Sequence, residues 1–298
     1  MVSGHLWSAE PVSNRLTGMA IVSQPRAVVT GGAGGLGRAF CLALARRGAR
    51  VLVADRDLAG AEETVRLVDA AGAVGHAVRC DVSDHHEVAA LLDQADGKLG
   101  GVDLVVNNAG VAVAGPVGQV PLENWDWIVS INLMGVVYGC HYFVPRFLSQ
   151  RSGHVLNVAS TAGLISAPGM APYNATKAAV VSLSETLAGE LLDSGVGVSV
   201  LCPTFFRTNI MASSRRSGLD AGMETTVTQR MDASRLQADD VARSALEECD
   251  RGRLYIVPMS DGRWGWRMKR LMPERFASIG ARMLAKMRER AVVSAPGN

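Results

Sequence analysis

The sequence predicts an α/β fold, a doubly wound parallel sheet in a single domain with a C-terminal helical extension. Three observations predict it. Apolar runs such as Val51-Leu52-Val53, Leu104-Val105-Val106 and Val198-Ser199-Val200-Leu201 are short and continuous, as strands covered on both faces are. Longer stretches with helical spacing of apolar residues alternate with them. The segments richest in chemistry fall at strand ends or on the helix that follows, where open α/β sheets bind ligands.

The elements follow in order. Residues 1–24 contain Gly4, Pro11, Gly18 and scattered polar groups, without the basic-then-apolar order of a signal peptide, and are expected to be a loosely held N-terminal extension. A strand over 26–30 runs into Gly31-Gly32-Ala33-Gly34-Gly35-Leu36-Gly37, and a helical pattern continues from Arg38 to Arg47. A second strand over 50–54 ends at Asp55. Further strands fall near 75–80, 103–106, 153–158, 196–201 and 254–257, with helical patterns at 84–99, 123–150, 171–193 and 237–250. Residues 25–258 thus make one domain, and 259–298 are the extension. Within the domain, the interval 209–237 has no clear strand character.

Composition agrees. A length of 298 residues suits one large α/β domain, and a hydrophobic share of 48% excludes a disordered chain. The net charge of +2 gives no overall pull towards nucleic acid. The five cysteines (Cys41, Cys80, Cys140, Cys202, Cys249) form no Cys-x-x-Cys pair, so they are read as buried small hydrophobes, with no metal site and no disulfide framework. No apolar run reaches about 18 residues, so no membrane span is expected and the location is read as cytoplasmic.

A strand, a glycine-rich turn and a helix N-terminus make an anion site, since the glycines permit close approach and the helix offers unpaired N–H groups. An acid about 20 positions later can accept hydrogen bonds from ribose hydroxyls, and Asp55 stands there. Its charge would repel a 2′-phosphate, which favours NAD over NADP; Arg56 beside it works the other way and keeps NADP as the alternative. Further along, Tyr173 and Lys177 are four apart in a helical pattern and so share a face. An ammonium beside a phenol favours the phenolate and is expected to lower its pKa. Ser160, thirteen residues before Tyr173, ends a strand and can hold a carbonyl or alcohol oxygen.

With these residues in hand, the chain resembles the short-chain dehydrogenase/reductase family over roughly residues 25–258. The family's glycine turn matches Thr30 to Gly37, with Gly31, Gly35, Leu36 and Gly37 at the cofactor. Its strand-end acid matches Asp55, with Arg56 adjacent. Its adenine-contacting pair matches Asp81 and Val82, and its Asn-Asn-Ala-Gly signature matches Asn107 to Gly110, with Asn108, Ala109 and Gly110 at the cofactor. The resemblance implies a catalytic tetrad of Asn132, Ser160, Tyr173 and Lys177. Asn132 would bend its helix and hold a water leading to the lysine, and Lys177 would also hold the nicotinamide ribose. Pro203, Phe206 and Thr208 match the nicotinamide-holding segment, in which Thr204 departs from the family's Gly and restricts the backbone more. The resemblance implies a Rossmann-type fold, a flexible substrate lid over 209–237 and a homodimer or homotetramer. Apolar residues Val136, Val137, Phe143, Val180, Leu183 and Leu187 on the two long helices are read as surplus to one sheet face.

The expected activity is interconversion of a secondary alcohol and a ketone with an apolar body, NAD being preferred. An NADPH-dependent ketoreductase is the alternative, and a catalytically silent nucleotide-binding protein or a peripheral membrane protein is the alternative of another class. On the substrate side, Phe205, Phe206, Met211 and Val113 are suited to an apolar pocket or to core packing, and Arg215-Arg216 reads as an exposed pair. In the extension, Trp264, Met268, Leu271 or Met272, Phe276, Ile279, Met283 and Met287 recur at spacings of three and four, with a break near Pro273. From Asp261 to Arg290 there are nine Lys or Arg and three Asp or Glu, a local charge of +6. Such a segment suits an anionic membrane surface through 261–290, or a helix pair over the substrate cleft or a neighbouring subunit; the packed pair is preferred.

Overall fold

The computed structural model describes residues 20–207, 214–217, 231–232 and 234–282. Seven parallel strands, β1 (Arg26–Thr30), β2 (Arg50–Asp55), β3 (Val74–Arg79), β4 (Leu104–Asn107), β6 (Gly153–Val158), β7 (Val196–Leu201) and β9 (Tyr255–Ile256), form one sheet in the order β3-β2-β1-β4-β6-β7-β9. Strand alternation sends Val28, Leu52, Val105, Val155 and Val198 to one face, under α3 (His85–Leu99), α5 (Gly135–Gln150) and α7 (Ala171–Glu190). Ala27, Val29, Val51, Val53, Leu104 and Leu156 go to the other, under α1 (Gly35–Ala45), α2 (Leu58–Ala70) and α8 (Ala238–Asp250). This two-sided burial is why the strands read as unbroken apolar runs. Phe143 and Phe147 are fully buried on α5, and truncating either to Ala should cost about 3–5 kcal/mol. All five cysteines are buried and free, as expected.

The sheet order reverses between β1 and β4, so the loops leaving these two strands diverge and open a crevice at their carboxyl ends. A small second sheet pairs β5 (Val113–Ala114) with β8 (Arg215–Arg216) beside that crevice.

Helix α2 fills the gap after β2, as the alternation of strands and helices predicts; the Asp57 carboxylate caps it, accepting from Gly60 N at 3.1 Å. Other elements depart from expectation. The helix expected over 123–150 is divided into α4 (Leu122–Val129), a π turn over Ser130–Met134, and α5, because Gly135 N reaches back to Ser130 O instead of one residue later. By length and composition this 29-residue run, Leu122–Gln150, would span a bilayer, but Phe143 and Phe147 hold it against the sheet as a core helix. The apolar residues read as surplus are largely spent within the chain: Val136, Phe143, Val180 and Leu187 are buried in its own core.

The extension forms α9 (Ser260–Leu271) and is helical again over 273–282, with Met272 at φ −141° and Pro273 dividing the two. Its single apolar stripe is corrected to two faces. Met268, Met272 and Phe276 are half-buried, whereas Trp264, Leu271 and Ile279 are 64%, 77% and 55% exposed. Met283 and Met287 lie outside the described residues.

Candidate active site

The crevice is closed at its base by hydrogen bonds between the two diverging loops. Thr30 Oγ1 accepts from Asn108 N at 3.0 Å and Ala109 N at 3.1 Å, and Asn108 Nδ2 donates to Thr30 O at 2.8 Å and Gly31 O at 3.2 Å. The turn has no room for side chains. Gly31 has φ +67°, and a Cβ there would lie 2.8 Å from Ala109 Cα; a Cβ on Gly37 would lie 2.0 Å from Gly31 O. Helix α1 begins after Gly34, and Gly34 supplies no side-chain cap to the first-turn N–H groups. Gly35 enters that turn at φ +53°, and the Leu36 side chain is buried, so both can offer only backbone.

Asp55 ends β2 with its carboxylate turned to the glycine turn: Oδ2 accepts from Ala33 N at 2.9 Å and Oδ1 from Asp57 N at 3.0 Å. Asp81 Oδ1 accepts from Ser83 N at 2.9 Å and Ser83 Oγ at 2.7 Å. The Ser83 hydroxyl holds the Asp81 carboxyl below the usual carboxylate range against the opposing effect of burial, and the exposed Arg56 and Arg79 add attraction. Val82 is buried against Gly135, at the start of α5.

The four residues of the expected tetrad converge. Ser160 follows β6 as the N-cap of α6 (Thr161–Ile165), accepting from Ala162 N at 3.1 Å and donating to Pro203 O at 3.4 Å, and its hydroxyl lies near enough to the Tyr173 phenol to favour the phenolate. Tyr173 and Lys177 are one turn apart on α7, with Lys177 Nζ 5.9 Å from the Tyr173 ring centroid. Lys177 is 3% exposed and donates to Val158 O at 2.8 Å; burial pulls its pKa down from 10.5 to about 8. The expected lowering of the phenol pKa is corrected. Burial pushes Tyr173 above its ordinary value, the Ser160 hydroxyl opposes this, and Lys177 donates to the Val158 carbonyl.

Asn132 is fully buried in the π turn. Its Oδ1 accepts from Val111 N at 2.8 Å, and its Nδ2 donates to Val111 O at 2.9 Å and to Thr176 Oγ1 at 3.4 Å. The side chain therefore fixes the segment after Gly110, and a Cβ on Gly110 would lie 3.3 Å from Asn132 Oδ1 and 3.5 Å from Lys177 Nζ. Glycine at 110 keeps that approach to the ammonium uncovered.

On the far side, Pro203 O accepts from Thr161 N and Thr161 Oγ1, both at 3.0 Å, which ties the Ser160 loop to the Pro203 loop. Thr204 is not among the residues with positive φ, so a β-branched residue fits there. Its Oγ1 donates to Asp261 Oδ1 at 3.2 Å, and a Cβ on Gly262 would lie 2.7 Å from Thr161 Cγ2 and 2.8 Å from Thr204 Cγ2. Helix α9 thus rests on both loops, with Lys269 Nζ 3.1 Å from Ser166 Oγ. The Phe206 side chain is buried in the core and Val113 is likewise buried, so of the two readings core packing holds for both side chains. Phe205 is half-buried. Thr208 and Met211 lie outside the described residues, as does most of 209–237. Arg215 and Arg216 are exposed, but Arg215 stacks 3.9 Å over the Trp127 ring and donates to Asn124 Oδ1 at 3.0 Å.

Sequence reasoning missed Thr176 and the Val158 carbonyl. Thr176 lies inside the Tyr-Asn-Ala-Thr-Lys run, so adjacency was the one available signal. The donor set fits a dinucleotide. An α1 N-terminus without a side-chain cap suits a pyrophosphate, the Asp55 carboxylate suits a diol, and a buried ammonium with one of its three donors on Val158 O has others for a ribose hydroxyl.

The sequence model of the short chain dehydrogenases matches residues 25–218. The 3beta-hydroxysteroid dehydrogenase 1 of Eggerthella lenta is 40% identical over 187 residues, which are 62% of this chain and 72% of that protein. The 1-deoxy-11-beta-hydroxypentalenate dehydrogenase of Streptomyces exfoliatus is 37% identical over 242 residues, 80% of this chain and 84% of that protein. The match to the mycobacterial relatives called "Probable oxidoreductase EphD" is 37% identical and spans about a third, 32%, of their length. Among solved structures, a short-chain dehydrogenase/reductase of Burkholderia phymatum in complex with NAD is 35% identical, with a TM-score of 0.79 over 87% of this chain and 95% of that one.

Proposed function

The chain belongs to the short-chain dehydrogenase family, an oxidoreductase family acting on small molecules, and on that premise we propose that it interconverts a secondary alcohol and a ketone with NAD. The observation that carries the proposal is the Ser160 hydroxyl beside the Tyr173 phenol, one helical turn from a buried Lys177. When bound, the nicotinamide supplies or accepts the hydride. The Ser160 hydroxyl holds the reacting oxygen of the substrate. The Tyr173 phenol gives its proton to that oxygen in reduction and takes it back in oxidation. Lys177 has two tasks: its charge stabilises the phenolate as it forms, and its free donors hold the ribose. Burial leaves the phenol protonated at rest, so the resting chain is poised as the acid of the reductive direction. Asn132 is a positioning residue that holds the Val111 backbone and so sets Gly110, which approaches the ammonium.

Asp55 supports the preference for NAD, as its carboxylate stands at the ribose end of the turn; Arg56 supports NADP as the second reading. Gly31, Gly35, Leu36, Gly37, Asn108, Ala109, Gly110 and Pro203 would shape the cofactor cradle through backbone, with Asp81 and Val82 beside the adenine. An apolar substrate body is supported by the relatives named for a hydroxysteroid and a hydroxypentalenate. A homodimer or homotetramer is proposed from symmetric closure as the general habit of oligomers; a monomeric mass by light scattering at micromolar concentration would overturn it. The test of function is a panel of steroid, terpenoid and aryl alcohols with NAD and with NADP. Oxidation of an apolar secondary alcohol with NAD is expected, and no turnover with either cofactor across the panel would refute the reading.

A further inference from the structure

The inward and outward faces of the C-terminal extension have opposite designs. Inward, small residues bring the helices close to the domain. Gly262 abuts Thr161 and Thr204, a Cβ on Gly265 would lie 3.6 Å from Ile165 Cγ2, and a Cβ on Gly280 would lie 3.8 Å from Pro168 Cδ. Arg263 NH1 donates to Val257 O at 2.8 Å and Pro258 O at 2.6 Å, which pins the start of α9. The extension is therefore held firmly on the domain.

Outward, Trp264 and Leu271 are exposed on one face of α9, seven residues and so two turns apart, and Ile279 is exposed on the helical run after it. Cations alternate with them. Among residues 261–282 there are six Lys or Arg (Arg263, Arg267, Lys269, Arg270, Arg275, Arg282) and two acids, Asp261 and Glu274. Of the six cations all but Lys269 are exposed, and Asp261 is engaged by Thr204.

We propose that this outward face docks on an anionic lipid membrane surface. The interleaving of charge and apolar bulk selects that occupant. The face carries six cations and two acids, one of the acids engaged by Thr204, so it needs an occupant with anionic groups spread over its whole area, which a leaflet of anionic headgroups supplies. At a bilayer the same arrangement is favourable, since the cations meet anionic headgroups while Trp264, Leu271 and Ile279 enter the acyl boundary. A second copy presenting the same face would set like charges against each other. Docking would bring the Ser160 and Pro203 loops, on which α9 rests, to the membrane side of the molecule.

The test is co-sedimentation of the full chain with phosphatidylcholine vesicles, with and without phosphatidylglycerol, at low and high salt. Binding to the anionic vesicles alone, reversed by salt, is expected. Replacing Arg267, Arg270 and Arg275 together by Gln should lower the partition coefficient roughly a hundredfold, and Trp264→Ser with Leu271→Ser should lower it at least about tenfold. Unfolding midpoints in urea control for folding, and the arginine variant stands by itself if the serine variant unfolds. Absence of binding, equal binding to neutral vesicles, or unchanged binding in the arginine variant would overturn the proposal. So would a native chain that ignores vesicles but loses oligomeric mass in either variant, which would assign the face to contacts between copies.

Discussion

Replacing Lys177 by Met should raise stability at neutral pH while removing activity, with a characteristic pH dependence. Burial lowers the lysine pKa from 10.5 to about 8, so its charged form is destabilised in the folded chain by about 3 kcal/mol, at roughly 1.4 kcal/mol per tenfold change. The folded pKa is the lower one, so between pH 8 and 10.5 the unfolded chain binds more protons, and stability from this group rises with pH. The penalty is full below pH 8 and is relieved towards 10.5. Met fills a similar volume, but the Val158 carbonyl loses its donor, at a cost of about 1–3 kcal/mol. The balance is a gain on the order of 1 kcal/mol for the variant at pH ~7, narrowing by about 1 kcal/mol by pH ~9. The assay is urea unfolding of both proteins, without cofactor, across this range. Taking the difference between them matters, because the buried thiols, four of them raised to between about 11 and about 12, act in the opposite sense: they ionise more readily once unfolded. A stability gap that stays constant or moves against the native lysine as pH rises would refute the reasoning.

Tyr173→Phe should lower turnover by at least about a hundredfold and leave the dissociation constant for NAD near normal, read by tryptophan fluorescence; substantial residual turnover would remove the acid/base role. For cofactor choice, unit charges ~4 Å apart interact by about 4 kcal/mol at an effective dielectric of 20, and Arg56 offsets part of this. A ten- to a hundredfold preference for NAD in kcat/KM is therefore expected, roughly 1.4–3 kcal/mol. Asp55→Ser should narrow or reverse it, and should also loosen the turn at Ala33; equal use of both cofactors before and after substitution would mean that Asp55 does not read the ribose. Gly262→Ala places a methyl within 3 Å of Thr161 and Thr204. It should cost about 1–3 kcal/mol and reduce kcat/KM through the Ser160 loop, so unchanged melting and kinetics would show that α9 yields freely.

The fold was legible because a two-sided parallel sheet writes itself as apolar runs, and both faces of β1, β2, β4 and β6 are covered. The glycine turn was legible because chemistry is local there: Gly31 needs positive φ and Gly37 needs the missing Cβ. Helical spacing likewise placed Tyr173 beside Lys177. The family match reaches only residue 218, and the extension beyond it was read least well. Its three- and four-residue spacing was correct, but which members of the stripe face inward depends on where Thr161, Ile165 and Pro168 lie, and no local pattern encodes that. The same is true of electrostatics. Proximity of an ammonium predicted a lowered phenol pKa, whereas the fold buries both groups and gives Lys177 the Val158 carbonyl as partner. The sequence by itself determined the sheet, the turn and the placing of Tyr173 one turn from Lys177, since these follow from backbone sterics and short spacings. Only the tertiary structure decided the protonation balance at Tyr173 and Lys177, and which face of the extension is left to solvent, because burial and charge pairing depend on atoms far apart in the chain.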